Sequence, residues 1–104
     1  MVVKFITFAK LTEKGQLTPP ENVPAVLAKV LEIVKIYEGK VESMWATTGR
    51  YDFVTFIEYP NEEYAFKART KITELGVFHL ESMVAFPVEA YIEAVAEKKV
   101  PVLV

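Results

Sequence analysis

Arg50, Tyr51 and Asp52 stand together in the stretch Thr48-Gly49-Arg50-Tyr51-Asp52-Phe53, which crowds a guanidinium, a phenol and a carboxylate into one tight connection. A permanently charged donor fork beside a ring with a polar tip can hold an anionic or amino-acid-like ligand. The same residues also suit a purely structural turn. Gly49 supplies a positive φ, Asp52 accepts hydrogen bonds from turn amides, and Arg50 pairs with a carboxylate. His79 and Glu81 form a second constellation, two residues apart in an apolar run. Strand alternation puts them on one sheet face with Met83, and puts Phe78, Leu80, Ser82, Val84 and Phe86 on the other, helix-covered face. A His–Glu pair can work as general base and orienter, or as a hydrogen-bonded polar spot within an interface. Trp45, beside Met44 and Thr47, is either a ligand wall or an interface anchor.

The residues that are missing narrow the chemistry. His79 is the only histidine and there is no cysteine, so a multi-histidine metal site within one chain, thiolate-bound zinc, thiol catalysis and a disulfide framework are all excluded. No glycine-rich phosphate loop, serine elbow or nucleophile–base pattern is present, and no cofactor or metal is expected.

The elements that position these residues follow from the apolar pattern. Residues 2–9 read as a strand and 10–19 as a loop that shapes a site or covers an edge. Val23, Val26, Leu27, Val30, Leu31 and Val34 recur at helical spacing, with Asn22 as the expected N-cap, Pro24 in the first turn and Gly39 as the stop. Two strands, 40–48 and 52–59, flank the Gly49–Asp52 hairpin. Pro60-Asn61 then caps a second helix whose buried stripe is Ala65, Ala68, Ile72 and Leu75, ending at Gly76. Residues 77–86 read as a fourth strand. Pro87 starts a third helix, about 87–99, carrying Val88, Tyr91, Ile92 and Val95. The last five residues, Val100-Pro101-Val102-Leu103-Val104, form an apolar tail expected to dock on a sheet edge or a neighbouring subunit. The order βαββαβ plus a terminal helix predicts an α+β, ferredoxin-like, four-stranded antiparallel sheet with helices on one face. The other face then needs a partner, and face-to-face homodimerisation into a dimeric α+β barrel is the simplest solution.

A length of 104 residues with 52% hydrophobic content fits one domain able to bury a core, with apolar surface left for another subunit. The net charge of −2, with lysines interspersed among glutamates, argues against nucleic acid. Lys4 and Lys10 interrupt any signal-peptide core, and no run reaches the ~20 apolar residues of a membrane span, so a soluble cytoplasmic protein is expected.

Thr48-Gly49-Arg50-Tyr51-Asp52 resembles the signature of the GYD domain family, small ferredoxin-like proteins of mostly unassigned function. Glu58-Tyr59-Pro60-Asn61-Glu62-Glu63 resembles that family's Glu-x-Pro-Asp-acidic segment, and the likeness continues through Gly76, Glu81, Ala85-Phe86 and Glu89. It covers 41–93 by motif and 1–40 by pattern. The last strand departs from it, with His79, Leu80 and Val84 where the family often has basic and threonine residues. The Thr-Gly-x-Tyr-Asp hairpin is also similar to the effector domain of leucine-responsive, feast/famine regulators, which implies a dimer binding amino acids near this hairpin. No helix-turn-helix segment precedes the first strand, which implies a stand-alone sensing module.

These readings converge on a homo-oligomeric module that binds a small metabolite at a subunit boundary, with Arg50, Tyr51, Asp52 and Trp45 lining or fixing the site. Two alternatives stand beside it. One is a small cofactor-free enzyme of the dimeric barrel type, using a cavity lined by His79, Glu81 and Trp45, a fold-level analogy with oxygenases and haem-degrading enzymes. The other is an interaction module whose faces only mediate assembly.

Overall fold

Alternation along the strands and helical spacing between them produce the expected order, with two additions. The computed structural model describes residues 2–97. It contains β1 (Val3–Leu11), α1 (Glu13–Gln16), a 3₁₀ turn (Pro20–Asn22), α2 (Val23–Ile36), β2 (Lys40–Ala46), β3 (Phe53–Tyr59), α3 (Glu62–Thr73), β4 (Phe78–Ala85) and α4 (Val88–Ala96). The strands form one antiparallel sheet in the order β2-β3-β1-β4. The fold is therefore the ferredoxin-like α+β architecture. The 100–104 tail and the end of the third predicted helix lie outside the described residues.

Residues 10–19 are more ordered than a covering loop. β1 runs on to Leu11, and α1 follows. Thr12 caps α1 by accepting from the Gly15 amide at 3.1 Å and donates to the Gly76 carbonyl at 2.6 Å. The Thr12 amide and the Lys14 ammonium reach the Val77 and Leu75 carbonyls at 2.9 and 3.0 Å. This segment thus ties the end of β1 to the α3–β4 connection.

Asn22 does not cap α2 with its side chain, because the 3₁₀ turn already leads the backbone into the helix. The other end of α2 closes through Glu38, which takes the left-handed conformation at φ 59°. The Glu38 amide bonds the Lys35 carbonyl at 3.0 Å and the Gly39 amide bonds the Val34 carbonyl at 2.8 Å, a Schellman closure. Gly39 is needed there for close approach: a Cβ would fall 2.6 Å from Val34 and 2.7 Å from the Tyr59 ring. α3 follows the predicted cap, with Asn61 Oδ1 accepting from the Tyr64 amide at 2.9 Å.

The core lies between one sheet face and the two long helices. It joins Ala9, Ile57, Tyr59 and Phe78 of the sheet to Ile33 and Val34 of α2 and to Ala65, Ala68 and Ile72 of α3. The small side chains of α3 let it lie close to the sheet, and Ala68 is fully buried. α2 meets the sheet with larger residues and rides higher. Only its C-terminal Ile33 and Val34 are buried, while Val23 and Leu31 are exposed.

A bulge in β2 decides which side chains face which way. Val41 pairs with Ile57 but Ser43 pairs with Phe56, so Glu42 is the extra residue. Val41 and Met44 therefore both face the helices, and Trp45 opposite Val54 faces away. α4 makes almost no contact with the remaining elements. Its Val88, Tyr91, Ile92 and Val95 are exposed, as is Phe86, which falls past the end of β4 and is not part of the core.

Candidate functional site

The face of the sheet that the helices leave uncovered is organised in rows set by strand register. The pairs Trp45–Val54, Val54–Phe8 and Phe8–Glu81 make one row across all four strands. Ser43, Phe56, Ile6 and Met83 make the next. Beyond them, Lys40, Glu58 and Lys4 form a charged end, where Lys4 and Glu42 are 3.2 Å apart. A hydrogen bond with Glu58, then the hydrogen bond and charge of Lys4, hold the Glu42 carboxyl below its ordinary range.

The hairpin between β2 and β3 reaches over this face. Gly49 has φ 104°, the left-handed region that an L side chain resists. The Thr47 amide donates to the Asp52 carbonyl at 2.8 Å, and the Thr47 hydroxyl donates to the Tyr51 carbonyl at 2.7 Å. Asp52 is engaged differently from the turn role that its position suggests. Its carboxylate accepts from the Leu11 amide at 2.8 Å, and its own amide bonds the Ala9 carbonyl at 2.9 Å. The residue anchors the hairpin to β1.

Tyr51 is the centre of the cluster. Its ring packs on Phe8 with centroids 4.9 Å apart, and its hydroxyl donates to the Glu81 carboxylate. That hydrogen bond, with partial burial and the Glu81 charge, raises the phenol above its ordinary value, against the opposing charge of Arg50. The Arg50 guanidinium lies 5.7 Å from the ring centroid, so it meets an aromatic face and not the carboxylate expected of it. Trp45 stands exposed at the far end of the Phe8 row.

The structure brings Arg50, Tyr51 and Glu81 together and leaves His79 apart. His79 is on the same open face, opposite Lys10, but Glu81 bonds Tyr51 and not His79. A cavity of about 490 Å³ does lie between the sheet and the helices. Of His79, Glu81 and Trp45, only Glu81 belongs to its lining. Among the described residues no cluster of three or more His, Asp or Glu could hold a metal ion, and no helix is long and apolar enough to cross a membrane.

Sequence reasoning missed two things. Phe8, the platform under Tyr51, carried no signal beyond alternation. Thr7, Thr55 and Ser82 did carry one: each is a hydroxyl at an inward position of an otherwise apolar strand face.

No curated protein matches the chain in sequence. Among solved structures, a mutant chlorite dismutase from Candidatus Nitrospira defluvii aligns with a TM-score of 0.65 at 15% identity, covering 91% of this chain and 45% of that one. Ribosomal protein S6 of Thermotoga maritima aligns at 0.61 and 9% identity, over 93% and 100% of the two chains. FFRP-DM1, of the Lrp/AsnC-type regulators, aligns at 0.52 and 20% identity, over 83% and 100%. The chain spans about half of the longer neighbours, 45% of the dismutase and 51% of MtbAldR. At these identities the likeness concerns the fold. The GYD domain model matches residues 5–95, nearly all of the described chain, and the protein belongs to the GYD domain family.

Proposed function

We propose that the chain acts as a homodimer or larger homo-oligomer joined through its open sheet face, and that it binds a small metabolite at the subunit boundary. The observation that carries this reading is the Tyr51 side chain, which leaves its hairpin to lie on Phe8 and bond Glu81 across the face. The cluster offers a guanidinium and a carboxylate around one phenol. Opposed charges on an aromatic platform suit an amino-acid-like ligand with both an acid and an amine. Asp52 fixes the hairpin and Trp45 supplies a wall further along the row. The apolar rows beside them lie on a face that no helix covers among the described residues, and a second copy would remove them from water.

Two measurements test the two parts. In a thermal-shift panel of amino acids and small organic anions, at least one class should raise Tm. Arg50→Ala should abolish that rise while shifting the unliganded Tm little. A flat panel overturns the ligand part. Light scattering should find an oligomer for the native chain and a monomer for Phe56→Glu. A native chain that stays monomeric at micromolar concentration overturns the assembly.

A further inference from the structure

We propose that the cavity on the opposite, helix-covered side of the sheet binds an amphipathic monocarboxylic acid, tail among the helices and head between Arg69 and a row of hydroxyls. This site is independent of the hairpin reading. Its volume of about 490 Å³ lies in the range of small-molecule sites. It exists because α2 rides above the sheet, so Leu27 and Leu31 of α2 and Phe66 of α3 wall a chamber that the core does not fill.

The floor of this chamber is not apolar. Register places Thr55 opposite Thr7 and Thr7 opposite Ser82, three hydroxyls side by side on neighbouring strands. The Thr7 and Ser82 oxygens are 2.9 Å apart, so one proton joins them and the other hydroxyl keeps a proton with no acceptor among the described residues. Valine or alanine would fill the same positions without polar atoms to satisfy. A row of hydroxyls under apolar walls therefore favours an occupant with hydrogen-bonding oxygens.

Arg69 supplies the charge. Its Nη2 donates to the Leu80 carbonyl at 3.0 Å, which pins the guanidinium beside β4, two residues from Ser82. Among the described residues it has no carboxylate within ion-pair distance, and the fork has further donors to offer. Of the acidic residues in the lining, Glu81 turns its carboxylate to the opposite face, where it accepts from Tyr51, and Glu62 lies two helical turns from Arg69, about 10 Å along α3. The Arg69 end is thus the cationic end, and an acid head with an apolar tail matches both.

Calorimetry and thermal shift with decanoate, decanol and decylamine, below their micelle-forming concentrations, test the proposal on the full chain. Decanoate should bind saturably and roughly tenfold tighter than decanol, with decylamine weakest, since a charge-assisted pair distinguishes them. Arg69→Gln should remove the preference for acid over alcohol. Leu31→Trp, at the exposed mouth, should block uptake of both without loss of fold, and Arg50→Ala should leave decanoate binding unchanged. Equal binding of acid and amine overturns the proposal, as does uptake indifferent to both Arg69→Gln and Leu31→Trp. Binding that emerges only in Ile92→Asp would also overturn it, by making α4 of a second copy the occupant.

Discussion

Asp52 and Tyr51 are neighbours in sequence with separate tasks, and each task implies its own measurement. The Asp52 carboxylate holds the amide of Leu11, so Asp52→Ala leaves a partly buried donor without a partner. It should cost about 1–3 kcal/mol in denaturant unfolding, while Asp52→Asn keeps an acceptor and should cost less. Tyr59 is a second phenol with an altered proton affinity, and for a different reason: burial pushes it up to about 12. A raised pKa favours the neutral ring in the folded state. That contribution is complete below pH 10 and is lost as pH rises from 10 towards about 12. Tyr59→Phe has no proton to lose, so its stability should fall less steeply over that window, as read by urea midpoints at successive pH values. Tyr51, raised by its bond to Glu81, should add to the same alkaline loss.

At the scale of elements, the patterns that repeat were legible and those made by distant register were not. The stripes of α2 and α3, the Asn61 cap and the two strands around Gly49 all follow from local spacing. α1 has only four residues, too few for a period to emerge. The contact between Tyr51 and Glu81 joins residues thirty positions apart on the hairpin and an edge strand, and no local signal announces it. The hydroxyl row joins positions 7, 55 and 82, which become neighbours only once three strands are in register. Gly39 is the helix stop that the spacing predicts, although Glu38 carries the left-handed turn and Gly39 makes room for Val34 and Tyr59. Gly39→Ala should therefore destabilise the fold by about 1–3 kcal/mol through crowding, with helix content retained by circular dichroism. α4 gives a further expectation. A nine-residue helix with almost no tertiary contacts is marginal in water, so amides 88–96 should exchange hydrogen faster than 62–73 in a dilute chain. They should slow if assembly covers its apolar side.

For the molecule as a whole, the two sheet faces have separate characters. One supports a small core and an open chamber, with the larger helix held off the floor. The other presents apolar rows between a charged end and the Tyr51 cluster. The chain measures 58 × 30 × 25 Å and has a radius of gyration of 16.9 Å, against about 13 Å for a compact domain of this size. Scattering from an oligomer in which α4 folds against a neighbour should therefore give a more compact profile than two such chains placed side by side.

The extra residue in β2 has an optical consequence. By turning Trp45 to the uncovered face, where it is 61% exposed, the bulge at Glu42 puts the only indole of the chain where a neighbour would meet it. Emission from this protein is then a local gauge, red-shifted while water reaches the ring and blue-shifted as it is excluded. For the proposed assembly, a dilution series read at that single fluorophore would yield a dissociation constant without a label.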